Sequence, residues 1–364
     1  MPADSPRGRR TRPFRLAGFF ACLLIAVVAA CAPTRMPLGP GAATASLDEE
    51  RFVTDDGMTL PLRVWLPDSA KWPEPEAVIL ALHGFNDYSN AFESAGQWWA
   101  ARGIATYAYD QRGFGGSPHR GLWAGTEILA ADVTTASRLL TEEHPGVPLY
   151  LLGESMGGAV AIAALTQPNP PRVRGTILSA PAVWARETMP FYQRAALWLA
   201  ARTIPWARFS GRGLGIQASD NIEMLRALGR DPVFIKETRV DAMDGLTDLM
   251  SEALEAAPRF DAPALVLYGE KDQVVPKAPT FRFWRGLPPD ARQRRALYAE
   301  GWHMLLRDLQ AEVVMADIAD WIGSNAAPLP SGADRHADTA LRDEEVERAV
   351  AKEGSEPAES EAGS

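Results

Sequence analysis

The hexapeptide Gly153-Glu154-Ser155-Met156-Gly157-Gly158 sets a serine between small residues, directly after an apolar run, Leu149 to Leu152, and directly before a helical stretch. This is the Gly-x-Ser-x-Gly pattern of a nucleophile elbow. A tight strand-to-helix turn holds the serine in strained geometry, and the glycines remove side chains that would clash. The hydroxyl is then exposed at a helix N-terminus, whose partial positive charge favours a developing anion. A serine alone is a poor nucleophile and needs a base. Of the five histidines, His336 lies in the polar C-terminal stretch, His144 at a helix end and His119 in a loop. His83 ends the apolar run Ala77 to Leu82 and reads as a residue that holds its loop. His303, in Gly301-Trp302-His303-Met304, follows the apparent last strand, Arg295 to Tyr298, and is the expected general base.

The acid that orients the imidazole should follow a strand between serine and histidine. Ala264 to Tyr268 is that strand, and Gly269-Glu270-Lys271-Asp272 is its turn. Glu270 comes directly after the glycine, too early in the turn, which leaves Asp272. A tetrahedral oxyanion would need two preorganised donors. The backbone N–H groups of Met156, just after the nucleophile, and of Phe85, where Gly84 lets the backbone approach, are the candidates. Asp110 to Ser117 forms a glycine-rich loop nearby, in which Asp110 and Arg112 read as structural.

The elements that position these groups follow from periodicity. Phe52-Val53 and Leu60 to Leu66 flank Asp55-Asp56-Gly57, a hairpin signal. Continuous apolar runs recur at Ala77 to Leu82, Ile104 to Tyr109, Leu149 to Leu152, Thr176 to Leu178 and Ala264 to Tyr268. Runs without polar alternation suit a parallel sheet covered on both faces. Helical patterns separate them at Tyr88 to Arg102, Ile128 to Glu143, Ala159 to Gln167 and Asp308 to Ile322. The prediction is an α/β chain with a mostly parallel, doubly wound sheet. From about 183 to 258 the alternation stops and helices and loops follow, so an inserted helical cap is expected. Phe191, Tyr192, Trp198, Trp206 and Phe209 crowd this stretch. They could be plain helix packing, an apolar lid over an acyl-chain tunnel, or a surface that dips into lipid.

Together, His83-Gly84-Phe85, Asp110 through Ser117, Gly153 through Gly158, Gly269 through Asp272 and Trp302-His303 resemble the monoacylglycerol lipase and lysophospholipase group of α/β-hydrolases, also described as serine aminopeptidase-like. The resemblance spans roughly Phe52 to Ile322 and implies the α/β-hydrolase fold. It also implies ester hydrolysis through an acyl-serine intermediate, with no cofactor and no metal. Glu154 is a departure, since these lipases often carry histidine before the serine. Rival expectations are a peptidase or short-chain carboxylesterase, an acyltransferase, and a binding lipoprotein without catalysis. Relatives that cleave halides or epoxides place an aspartate where Ser155 stands.

The ends of the chain read differently. Arg7, Arg9, Arg10, Arg12 and Arg15 precede an apolar run from Leu16 to Ala30, too short to span a hydrocarbon core of ~30 Å at ~1.5 Å per residue. Residues 1–30 are therefore expected to be a signal peptide. Val28-Ala29-Ala30-Cys31 resembles a bacterial lipobox, which implies cleavage before Cys31, its acylation, and attachment to the exported side of a bacterial membrane. Ala32 is not the aspartate of a retention signal, which favours the outer membrane of a two-membrane cell. The only cysteines are Cys22 and Cys31, so no disulfide within the domain is available. Residues 31–46, rich in Pro, Gly, Ala and Thr, read as a flexible spacer, and 47–325 as the catalytic domain. Residues 326–364 read as a disordered acidic tail, with 10 acids against 4 bases between Asp334 and Glu361. A net charge of -9 argues against nucleic acid as a partner.

Overall fold

The computed structural model describes residues 33–289 and 292–353. The expected signal peptide, Cys31 and the last part of the tail, 354–364, lie outside the described residues. Strands β1 (Ser46–Leu47), β2 (Arg51–Val53) and β3 (Thr59–Trp65) form an antiparallel start, with Asp55-Asp56-Gly57 at the β2–β3 turn. Strands and helices then alternate: β4 (Ala77–Leu82), α1 (Glu93–Ala100), β5 (Ile104–Tyr109), α2 (Thr126–Glu143), β6 (Leu149–Glu154), α3 (Met156–Leu165) and β7 (Gly175–Ser179). Next come α4 (Phe191–Thr203), β8 (Arg208–Phe209), α5 (Ile222–Arg230), β9 (Thr238–Arg239) and α6 (Val240–Ala256). The chain closes with β10 (Ala264–Gly269), α7 (Lys277–Gly286), β11 (Gln293–Tyr298), α8 (Ala311–Gly323) and α9 (Ala333–Glu353).

Among the described residues the main sheet runs β1-β2-β3-β5-β4-β6-β7-β10-β11, and it is parallel from β5 onward. Every residue of β4, β5, β6, β7 and β10 is buried, as continuous apolar strands require when both faces are covered. Trp99 of α1 and Trp321 of α8 fill one face. Helices α2, α3 and α6 cover the other, together with Phe281 and Trp284 of α7. The site candidates all follow parallel strands at their C-terminal ends, where open α/β sheets bind ligands: Phe85 after β4, Ser155 after β6, Asp272 after β10 and His303 after β11.

Three boundaries differ from expectation. The cap is shorter than 183–258. From Val240 onward the chain is α6, whose Leu249, Ala253 and Leu254 are buried in the main core, so it belongs to the layer flanking the sheet. Residues 33–46 are not a free spacer either. Met36 is buried and its N–H meets the Trp123 carbonyl, while Gly39, Gly41 and Ala43 donate to Asp56 and Asp55. The acidic hairpin turn thus supplies acceptors that tie the segment down. The tail also departs from the expected disorder, because residues 333–353 form α9, packed on β11. Ala337, Ala340 and Leu341 put a small apolar stripe on one helix face, and Arg294 and Arg285 pair with Asp334 and Glu344. Composition alone gives the amount of apolar surface but not its arrangement on one face.

Candidate active site

Ser155 occupies φ 52° and ψ −115°, a left-handed conformation that non-glycine residues adopt only when the surroundings impose it. Its own amide donates to the Ser179 carbonyl at 2.9 Å, and its carbonyl accepts from Ala182 at 3.0 Å, pinning the turn between β6 and α3. Gly157 is required there: a Cβ on it would lie 2.0 Å from the Leu82 carbonyl oxygen. The helix therefore starts at Met156, three residues before the expected Ala159, because the elbow runs straight into it. Gly84 lies against the elbow less tightly, since a Cβ there would sit in ordinary contact, 3.5 Å from Ser155 Cβ. The amides of Phe85 and Met156 donate to no protein acceptor among the described residues.

His303 Nδ1 lies 2.8 Å from Asp272 Oδ2, with both side chains buried. Asp272 is fixed in turn, because its Oδ1 accepts from the amides of Val274 at 2.7 Å and Val275 at 3.0 Å. Burial pushes the His303 pKa down, but the Asp272 charge and hydrogen bond outweigh it, and the net shift is upward. Ser155 and His303 line one cavity of about 620 Å³, without a hydrogen bond between them. Such contacts often tighten only when substrate is bound. Its walls are largely apolar, with Trp184, Leu197, Leu214, Leu246 and Met250 among them.

His83 is confirmed in a structural setting. It is buried, its Nδ1 faces the Gly84 carbonyl at 2.8 Å, and its Nε2 accepts from the Gln111 amide at 2.9 Å. This fixes a neutral tautomer with the proton on Nδ1, consistent with the downward pKa shift that burial imposes. Asp110 accepts from the amides of Ser89 and Gly116, and Arg112 bridges Asp132 and Asp56, so both hold loops together.

Sequence reasoning missed a buried ionic cluster beside the nucleophile. Arg307 contacts Asp87 at 2.8 Å and Glu154 at 2.6 Å. Asp87 sits in the Phe85 loop, Glu154 precedes Ser155, and Arg307 follows His303. One guanidinium therefore joins three loops of the site. The cap joins them too. Met304 donates to the Ala218 carbonyl, Ser219 Oγ to Asp308 at 2.6 Å, and Asn86 Nδ2 to Thr238 Oγ1 at 2.7 Å.

The Hydrolase_4 family, described as serine aminopeptidase, S33, matches residues 73–310, which include every candidate above. The chain belongs to this hydrolase family. The hydrolase is 24% identical over 294 residues to a monoacylglycerol lipase of Mycolicibacterium smegmatis, covering 78% of this chain and 99% of that protein. It is 26% identical over 225 residues to a phospholipase of Bacillus subtilis, covering 60% of this chain and 84% of that one. A soluble variant of monoglyceride lipase from Saccharomyces cerevisiae superimposes with a TM-score of 0.64 at 20% identity, covering 79% of this chain and 98% of that one. The hydrolase thus has the α/β-hydrolase fold.

Proposed function

We propose that this hydrolase is a serine esterase of monoacyl lipids, with Ser155 as nucleophile, His303 as general base and Asp272 as the group that orients the imidazole. The observation that carries this reading is the strained Ser155 turn and the Asp272–His303 pair opening on one apolar cavity. Ser155 Oγ attacks the ester carbonyl while His303 takes its proton through Nε2. The oxyanion that forms accepts from the amides of Phe85 and Met156. Collapse expels the alcohol, to which His303 returns the proton. Water, deprotonated by His303, then attacks the acyl-serine; collapse releases the fatty acid as His303 returns the proton to Ser155 Oγ.

A lipid substrate is supported by the apolar walls and by the cap surface. Phe191, Tyr192 and Trp198 of α4 are 77%, 60% and 53% exposed, whereas only Ala201 of that helix is buried. Plain helix packing does not account for such a face, and contact with a lipid surface does. The names of the Mycolicibacterium and Bacillus relatives point the same way. A peptide substrate is less well served. The carboxylates on the cavity wall, Asp87 and Glu154, already pair with Arg307, which weakens their hold on a peptide's ammonium group. With the full-length protein in neutral detergent micelles, kcat/KM should rise with the acyl chain of a graded ester series. A maximum at the shortest chains would replace the lipid reading with that of a small-ester carboxylesterase.

The lipobox-like Val28-Ala29-Ala30-Cys31 supports a second part of the proposal: acylation at Cys31 anchors the enzyme to the exported side of a bacterial membrane. Radiolabelled palmitate fed to expressing cells should enter the wild type and not Cys31→Ser. Equal labelling of both would rule out the anchor.

A further inference from the structure

We propose that Gln217 to Asn221 of the cap form a clamp that sets the His303 turn against Asp272, with Ser219 and Asp308 as its positioning residues. The inference deepens the esterase reading above and rests on it. Each of the five clamp residues bonds to the turn that carries the acid or to the segment that carries the base. The Gln217 amide donates to Gln273 Oε1 at 3.0 Å, beside Asp272, and the Ala218 carbonyl accepts from the Met304 amide at 3.0 Å. Ser219 Oγ donates to Asp308 Oδ1 at 2.6 Å, and Asp220 Oδ1 accepts from the Leu309 amide at 2.8 Å. Asn221 Nδ2 donates to the Arg307 carbonyl at 3.1 Å. The cap just before the clamp behaves otherwise, since residues 210–216 are exposed throughout. A stretch that merely crossed the surface would leave most of these groups to water.

The clamp reaches the base through its two chain neighbours. The Trp302 amide donates to Asp308 Oδ2 at 2.8 Å, and the Met304 amide donates to the clamp itself. The Lys271 amide, next to Asp272, donates to the Gly301 carbonyl at 2.9 Å, so the acid turn holds the start of the same segment. The backbone on both sides of His303 is therefore fixed. Of these ties, Met304 depends on the clamp directly and Trp302 depends on it through Asp308. One oxygen of Asp308 takes Trp302 and the other takes Ser219, which leaves the carboxylate a single orientation.

Burial gives these bonds their weight. Ser219 and Asp308 are both buried, so removing one partner leaves the other unsatisfied and out of reach of water. Burial pushes the Asp308 pKa up to about 6, against the pull of the Ser219 and Trp302 hydrogen bonds. The carboxylate is thus ionised at neutral pH and accepts at both oxygens. The contact between His303 Nδ1 and Asp272 Oδ2, 2.8 Å, is directional and weakens steeply when the ring turns. A misplacement of about 1 Å at a reacting group can cost on the order of a hundredfold in rate. Without the clamp the imidazole keeps its place in the chain but drifts from Asp272.

The test uses full-length Ser219→Ala and Asp308→Asn in neutral detergent micelles, with Arg186→Met as the control. Arg186 ties the other end of the cap to α6 through Asp244 and Asp248. Both clamp variants should lose about tenfold or more in kcat on monooleoylglycerol, with KM within about twofold of the wild type. The His303 pKa is read by NMR titration of the labelled imidazole in the absence of substrate. It should fall below the wild-type value, because a displaced ring loses part of the Asp272 charge that raises it. Asp272, Glu154 and Arg307 are the charges that set that pKa, and Ser219→Ala alters none of them, so a shift in this variant reports position. Arg186→Met should keep the wild-type His303 pKa and kcat at any temperature where it stays folded. An unchanged His303 pKa in Ser219→Ala overturns the clamp, and so does a loss confined to KM. An equal shift in Arg186→Met also overturns it, since loosening the cap anywhere would then suffice. If Ser219→Ala fails to fold, Asp308→Asn is judged by the same outcomes. The titration needs no turnover, so it tests the clamp even where the wild type hydrolyses no ester, an outcome that sinks the esterase reading alone.

Discussion

Ser155→Ala is expected to lower kcat for ester hydrolysis by about 10⁴-fold or more, with little change in KM and none in fold. The hydroxyl makes no hydrogen bond that the structure depends on, because the elbow is held through the Ser155 backbone. Alanine at φ 52° is strained much as serine is, so stability should barely move. The residual rate over water would come from the two amides and from substrate binding. The pH profile offers a separate check on the same machinery. His303 must be neutral to accept the serine proton, and it becomes the inactive imidazolium as pH falls. Burial alone would lower its pKa. Asp272 and Glu154 raise it, Arg307 opposes them, and the balance lies above the ordinary value of 6.5. The acid limb of kcat/KM should therefore lie above pH 6.5. A limb well below that value, or a serine variant that keeps more than a few per cent of activity, would remove His303 or Ser155 from its assigned role.

Arg307→Met should destabilise the protein by about 3–5 kcal/mol, the cost of leaving buried carboxylates without their cation. Two carboxylates depend on this one guanidinium: Asp87 and Glu154 are both almost fully buried. Against a total stability of ~5–15 kcal/mol, such a loss is large enough to read from a urea midpoint. Activity should fall further than the folded fraction does, because the Phe85 loop, the elbow and the His303 loop lose their shared tie. Arg307→Lys keeps the charge but not the fork that reaches two carboxylates, and should recover stability more fully than rate. A loss under about 1 kcal/mol in the methionine variant would mean that the cluster is solvated in solution and does not hold the loops.

The sequence was most readable where chemistry imposes local rules. A nucleophile elbow needs small residues on both sides of the serine and a strand before it, so Ser155 stands out in one hexapeptide. Asp272 and His303 follow because each must end a strand in a fixed order along the chain. Arg307 carries no such mark. Its partner Glu154 is 153 residues away, and nothing near Arg307 distinguishes it from an exposed arginine. The cap boundary was missed for a related reason. The end of the strand–helix alternation shows that helices follow, but not whether the sheet layer or a lid takes each of them. The tail helix and the docked segment 33–46 depend on a few well-placed contacts in stretches whose overall composition looks like linker.

That docked segment changes what an anchor at Cys31 would do. The Thr34 amide donates to Asp241 Oδ2 at 3.2 Å, and Asp241 pairs with Arg239 of the β8–β9 ribbon. Only Ala32 and Pro33 lie between Cys31 and Thr34, three chain steps with a reach of about 10 Å. An acylated Cys31 would then be a short leash fastened beside the cap, and the enzyme could not tumble freely above the bilayer. The bearings open to it would be few, and encounters with lipid would become a search in two dimensions.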